Sequence, residues 1–438
     1  MNPMKYQRHL ATAILSGLLF TGYMAKALMI NVTTNDNYTK IESARPGDEV
    51  VIAPGAYSFR LFLTKKADAA NPINIHAQDP ANPPVWDFGS TLVEHAPGSY
   101  NAGDRGRGGW QFSGAANYNI SGIIFRHCRN ADRNAAGIRY YNGTTNLYIR
   151  ACLFDQNDNG LAGGSQNSTA TVEYCEFSGN GNTNADAPTH NLYIYGGWLN
   201  MRYCYVHDPV QAQNFHVRCR EAVLEYNWFA RARSFEGDLM TDGDFHGPGP
   251  FSQTLTLRGN VFVQNESPMN HSQVIALFND GRLANLTLNV RALYNTFVGN
   301  GGHAAFVHLS NADHTRMNAE ISDNILCGTT QAFLIDRTNY AAVTGMNNWL
   351  PKAAKTVGLS GTIQTASPGF RNPAEQDYRL ADGSPCIDAA FAETSGTPAR
   401  EYYLNEKTNR QWRVRNAARD IGAFEFTTTN NPVGSKNE

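Results

Sequence analysis

Along most of this chain apolar and polar residues alternate in short runs, and each run closes on a large apolar side chain. "YNISGIIF" ends at Phe125, "NLYIRACLF" at Phe154, "ATVEYCEF" at Phe177 and "LNMRYCYV" at Val206. "AVLEYNWF" ends at Phe229, "TLTLRGNVF" at Phe262, "VRALYNTF" at Phe297 and "AEISDNIL" at Leu326. The intervals between these anchors are 29, 23, 29, 23, 33, 35 and 29 residues. Two positions before each anchor stand Ile123, Cys152, Cys175, Cys204, Asn227, Asn260, Asn295 and Asn324. Alternation of period two between Gly/Asn/Asp clusters predicts strands, and helical periodicity is nearly absent. A repeat of about 20 to 50 residues marks a solenoid, in which each coil hides its apolar side only against its neighbours. The reading is therefore all-β: a single-domain β-solenoid with end caps. Asparagines in register on successive coils predict a hydrogen-bonded ladder. The cysteines at the same position read as small buried apolar residues.

One stretch repeats itself on adjacent coils. In "HNLYIYGGWLNMRYCYVHDPVQAQNFHVRCREAVLEYNWF", Ile194 and Val217 each lie 12 residues before an anchor, so they are equivalent positions. Leu192, Ile194, Phe215, Val217 and Cys219 then face inward. Tyr193, Tyr195, His216, Arg218 and Arg220 face outward. With coils about 4.8 Å apart, Tyr193 falls beside His216 and Tyr195 beside Arg218, and Gly197 lies opposite Arg220. Such a cluster on a rigid sheet is a candidate site. His190, just before the Tyr193 strand, is expected at its edge. The next coil brings "FEGDLMTDGDFHGPGP", with Glu236, Asp238, Asp242, Asp244 and His246. Asp-Gly and Gly-Pro are ordinary turn chemistry. The alternative is a carboxylate cluster that orients His216 or holds Ca2+ through Asp238, Asp242 and Asp244. Arg126, Arg129, Arg133, Arg139 and Arg150 sit on preceding coils and would line a positive groove suited to an anionic polymer. Trp110, Trp198 and Trp228 are either packing residues or stacking platforms.

Bulk properties narrow the partners. The chain has 438 residues and 42% hydrophobic content, enough for a large core. Lys5 and Arg8 precede an apolar run from Leu10 to Phe20, and Ala25-Lys26-Ala27 is an A-x-A cleavage pattern. Residues 1–27 thus read as a secretory signal peptide, too short in its apolar part to span a membrane. A secreted or periplasmic monomer is expected. Removing Lys5, Arg8 and Lys26 takes the formal charge from −2 to −5, which gives no general attraction to nucleic acid or anionic membranes. Seven cysteines, an odd number without a CxxC, argue against a full disulfide framework and against structural zinc.

The "YNxF/GNVF" coils resemble those of right-handed parallel β-helix proteins. The stretch "IESARPGDEVVIAPGAYSFRLFLTKKADAANPINIHAQD", Ile41 to Asp79, is similar to the opening segment of the β-helix polysaccharide lyases, above all the alginate and chondroitin lyase group. "GSPCIDAA" (Gly383 to Ala390) and "RDIGAFEF" (Arg419 to Phe426) resemble the closing coil of many bacterial β-helix proteins. The resemblance implies a β-helix over residues 28–426. The stack's ends need covering, so an N-terminal cap about 28–100 and a closing coil about 360–426 are expected, and the polar tail from 427 to 438 is expected to be disordered. It implies a lyase acting on an acidic, uronate-containing polysaccharide.

In β-elimination a base removes the C5 proton beside the carboxylate and an acid protonates the departing oxygen. His216 is the natural base, Tyr193 the acid, and Arg218 and Arg220 the partners of the carboxylate. Tyr195, His190, Arg139, Asp242 and Trp198 complete the substrate-binding candidates. The resemblance offers a second scheme, with Arg218 as base and Ca2+ held by Asp238, Asp242 or Asp244. The cofactor is therefore either none or Ca2+. The lysine that the lyase group leads one to expect on this strip is absent. Two further classes stay open: a hydrolase using Asp242 with Asp244 or Glu236 with Asp238, and a carbohydrate-binding protein without catalysis. The N-T-D, G-H-G and R-I-K signatures of polygalacturonase-type β-helices are absent.

Overall fold

A computed structural model describes residues 27–89, 107–185, 188–241, 251–264, 273–279, 286–311, 315–391, 397–402, 412–414 and 419–427. Residues 1–26 of the expected signal peptide, Asp242, Asp244, His246 and the tail from 428 lie outside them.

Each coil gives one strand to each of three parallel sheets. A representative coil runs Ala136–Tyr141, Thr145–Arg150 and Leu153–Asp155. Among the described residues the middle strands build a twelve-stranded sheet from Met29–Val32 to Ala341–Met346. The last strands build a second twelve-stranded sheet from Ala56–Tyr57 to Ile363–Thr365. The first strands build a ten-stranded sheet from Leu61–Leu63 to Phe333–Ile335. The eight sequence anchors, Phe125 through Leu326, are consecutive register partners. Their rings stack inside, with Phe125–Phe154 centroids 5.2 Å apart and Phe154–Phe177 4.6 Å. Each such burial stabilises by roughly 1.5–3 kcal/mol.

The asparagine ladder forms as the spacing predicts. Asn227 Nδ2 donates to Asn260 Oδ1 at 3.1 Å, Asn260 to Asn295 at 3.0 Å and Asn295 to Asn324 at 2.9 Å. Asn324 passes the ladder to Asn348 at 3.0 Å. The thiols of Cys152, Cys175 and Cys204 occupy the same column, and all seven cysteines are free.

Strands Met29–Val32, Glu49–Ile52 and Ile73–Ala77 already belong to the stack, and the short helix Tyr38–Glu42 buries Ile41 against its first coils. After Ile363–Thr365 the chain turns back along the outside of the third sheet. There Tyr378, Tyr402 and Phe424 pack on Trp228, Val261 and Val263. Ile421 and Cys386 pack on Ile325 and Trp349. The cause is local composition. "WFA" and "VFV" are apolar on both faces, so Trp228 and Val261 need a second cover beyond the core that receives Phe229 and Phe262.

Candidate active site

The paired strands Leu192–Tyr195, Phe215–Arg218 and Gly237–Met240 lie next to each other in the ten-stranded sheet. Leu192, Ile194, Phe215 and Val217 fill the core. Alternation therefore turns Tyr193, His216 and Asp238 to the outer face, where they are consecutive register partners. Tyr195 pairs with Arg218 on the neighbouring row. Burial on both sides of a one-residue slip would be reversed, so the core itself fixes this register.

A second amide ladder, which the sequence reading missed, pins these strands at their starting ends. Asn157 donates to Asn180, Asn180 to Asn191, Asn191 to Asn214 and Asn214 to Glu236, at 3.0, 2.8, 2.8 and 2.6 Å. Asn191, Asn214 and Glu236 each immediately precede a site strand. The legible signal was an Asn or Glu standing directly before "LYIY", "FHVR" and "GDLM". Glu236 has only acceptors to offer when ionised, so it ends the ladder; it also accepts from Ala232 N at 3.3 Å. Burial pushes its carboxyl up to about 7. Glu236 is fully buried and Asp238 nearly so, and neither presents a carboxylate to solvent.

His216 is held by four neighbours. Arg218 Nε donates to His216 Nε2 at 3.2 Å. That contact leaves the proton of a neutral imidazole on Nδ1, which lies 2.7 Å from Asp238 Oδ1. The two atoms lie in close contact without the direction of an aligned hydrogen bond. The Tyr193 ring stands edge-on, its centroid 4.8 Å from that of His216. Beneath lies His190, ring centroid 4.7 Å away and nearly parallel at 12°. His190 is 3% exposed, so it forms the floor of the cluster rather than its edge. Burial first, then the neighbouring His216 and Arg218, hold its pKa well below the ordinary imidazole range.

Arg218 also donates to Thr241 O at 2.9 Å. Asp238 Oδ2 accepts from Gln213 Nε2 at 3.3 Å. Asp238 is thus committed to the histidine, one of the alternatives open from sequence. Of its expected Ca2+ co-ligands, Asp242 and Asp244 lie outside the described residues. Parallel imidazoles project their lone pairs side by side, so His190 and His216 do not converge on one cation. Among the described residues no group of three or more His, Cys, Asp or Glu is arranged to hold a metal ion.

Other expected site residues sit elsewhere. Exposed Arg220 follows the Phe215–Arg218 strand, its guanidinium 5.3 Å from the centroid of the Trp198 ring. Trp198 opens a strand of the adjoining sheet. Arg139 shares the outer row with Tyr193, separated by Ala162. It is 5% exposed, and its guanidinium is spent on the carbonyls of Arg107 and Asn134. The expected positive groove does not assemble. Arg126, Arg139 and Arg150 lie on three different sheets. Arg126 pairs with Asp155 and Arg129 with Asp158, and Arg150 covers the Tyr174 ring. Trp110 and Trp228 are fully buried packing residues.

Solved structures share this architecture. Pectate lyase Pel9A matches with a TM-score of 0.50 at 13% identity, over 91% of this chain and 96% of that one. The chain is a right-handed parallel β-helix protein. An alginate lyase from Paenibacillus sp. str. FPU-7 matches this β-helix with a TM-score of 0.47 at 12% identity, over 72% of this chain and 99% of that one. No protein-family model matches the β-helix, and no curated protein matches it in sequence. At these identities the likeness is one of fold.

Proposed function

We propose that the protein is an exported polysaccharide lyase that cuts a uronate-containing polymer by β-elimination. The observation that carries this reading is the convergence of Tyr193, His216, Asp238 and Arg218 on one outer face, an acid–base pair beside a fixed cation. In the reaction the C5–H bond breaks and its electron pair becomes the C4–C5 double bond. The C4–O bond breaks, and its oxygen leaves as a hydroxyl after gaining a proton. His216 Nε2 takes the C5 proton, and the Asp238 carboxylate at Nδ1 stabilises the imidazolium that results. Tyr193 supplies the proton to the leaving oxygen. Arg218 and Arg220 bind the sugar carboxylate, where negative charge accumulates, and Trp198 and Tyr195 flank the polymer.

This scheme requires no ion, and the engagement of Asp238 with His216 and Gln213 counts against the Ca2+ alternative. Activity is therefore expected to persist in EDTA. The enzyme acts as a monomer outside the cytoplasm, consistent with the leader-like residues 1–27.

The decisive assay offers the mature chain alginate, polygalacturonate and glycosaminoglycans, following ultraviolet absorbance and reducing ends together. Absorbance from unsaturated ends should rise in step with reducing ends. Reducing ends alone would make it a hydrolase. Binding with neither signal would make it a carbohydrate-binding protein.

A further inference from the structure

The sheet built from the middle strands carries a polar face that the elimination scheme leaves unused. Asn74, Asn119, Tyr148, Thr171 and Asn200 are consecutive register partners in its outer row. Asn117, Asn119, Asn146, Tyr148 and Thr171, walled by Pro72, line a depression of about 260 Å³ there. It spans the strands Ala116–Ser121, Thr145–Arg150 and Thr169–Glu173, immediately before the strand that Trp198 opens. Its parts are held in place from within the protein. Asn119 Nδ2 donates to Asn74 Oδ1 at 2.8 Å and Asn146 Nδ2 to Asn117 Oδ1 at 2.9 Å. Asn117 Nδ2 donates to Ala67 O at 2.6 Å, which ties the wall to the sheet. The Tyr148 hydroxyl donates to Glu173 Oε2 at 2.5 Å, so the ring is tethered across the sheet.

We infer that this depression is a second carbohydrate site, which holds one uncharged sugar unit against Tyr148. Among the described residues no charged side chain lines it. The adjoining charges of Glu173 and Arg202 are spent on each other at 2.5 Å. An anion finds no cation in the lining, and a metal ion finds no carboxylate. What the lining offers suits sugar hydroxyls. Asn119 Oδ1 and the Thr171 hydroxyl take no hydrogen bond from the described residues. They flank Tyr148 in the row, each on a coil about 4.8 Å away. A carboxamide oxygen accepts, and a hydroxyl both donates and accepts. The ring between them gives an apolar surface to the C–H face of a sugar. The volume falls just below the roughly 300–1,000 Å³ of pockets that enclose drug-sized ligands, the scale of one unit within a longer chain. Each hydrogen bond replaces one to water, so a single unit binds weakly. The row lends it a neighbour: Thr169 donates to Asn146 Oδ1 at 3.2 Å and is the register partner of Trp198. A polymer lying along this row meets both places, and two weak contacts on one chain reinforce each other. The inference stands on this geometry and does not depend on the lyase reading.

The test is a binding measurement that needs no turnover. The full chain is titrated calorimetrically with mannohexaose, cellohexaose and chitohexaose, and with hexagalacturonate as the charged counterpart. At least one uncharged hexamer should bind with roughly millimolar affinity. Tyr148→Ala should weaken that binding about tenfold or more, by removing the ring. Thr171→Lys fills the depression from an outward position and should weaken it as much. That second variant touches no core residue, so it keeps the test decisive if melting curves show Tyr148→Ala unfolded. Tyr193→Phe, on the other sheet, should leave the affinity unchanged. Binding of no uncharged hexamer, or binding that Thr171→Lys leaves intact, overturns the site. Tighter binding of hexagalacturonate that Thr171→Lys removes overturns its assignment to uncharged sugars. Failure to cut any acidic polymer, with an uncharged hexamer still bound at Tyr148, sinks the lyase reading and leaves this site standing.

Discussion

His190 lies flat against His216, with ring centroids 4.7 Å apart and planes within 12°. The stack, more than any hydrogen bond from His190, keeps the plane of the His216 imidazole. His190→Phe preserves a flat ring and should keep kcat within about threefold. His190→Ala opens a void under His216 and should lower kcat by about tenfold or more while leaving KM nearly unchanged. Steady-state kinetics on the two variants separate these outcomes; equal losses would mean that the nitrogens of His190 matter.

The assigned roles of Tyr193 and Asp238 rest on single atoms. Tyr193→Phe removes only the phenolic hydroxyl and should lower cleavage by about 10²–10⁴-fold with an unchanged circular dichroism spectrum. Asp238→Asn replaces the charge facing His216 Nδ1 and should cut kcat at least about tenfold. Retention of full activity by Tyr193→Phe would end its assignment as the acid.

Two buried groups tilt stability with pH in opposite directions. Glu236 titrates near 7 in the folded chain, above the ordinary carboxylate value. Between about 4.5 and 7 the folded state keeps a proton that the unfolded state releases, so this group's contribution falls as pH rises, by up to about 3 kcal/mol. His190 is held well below the imidazole range, so its contribution is complete above about pH 6.5 and is lost as pH falls below that. Urea unfolding at successive pH values should show Glu236→Gln flattening the first slope and His190→Phe the second.

The interior asparagine column predicts a large effect from a small deletion. Asn260 Oδ1 accepts both the Asn227 backbone N–H and its Nδ2. Asn260→Ala strands two buried donors and also removes the Nδ2 hydrogen bonds to Leu224 O and Asn295 Oδ1. The expected cost is about 3 kcal/mol or more, read from the urea midpoint.

The returning C-terminal segment should matter as much as a core strand. Tyr402 and Tyr378 cover Trp228 on the outside of the third sheet. Trp228→Ala should cost about 3–5 kcal/mol, although Trp228 faces away from the main core. A cost below 1 kcal/mol would show that the cover is loose.

Sequence alone determined the coils, their register and the outward facing of Tyr193, His216 and Arg218. The reason is that a strand has period two and a stacked coil repeats its inward anchor, so one row of phenylalanines fixes the facing of the rest. The same logic placed Asn227, Asn260, Asn295 and Asn324 in one column. Corners and long connections obey no such period. Only the tertiary structure turned Glu236 inward and laid His190 under His216. It also divided Arg126, Arg139 and Arg150 among three sheets and wrapped the C-terminal segment over Trp228. Those placements depend on which surfaces still needed covering or a partner once the stack had formed, a property of the assembled coils rather than of any one of them.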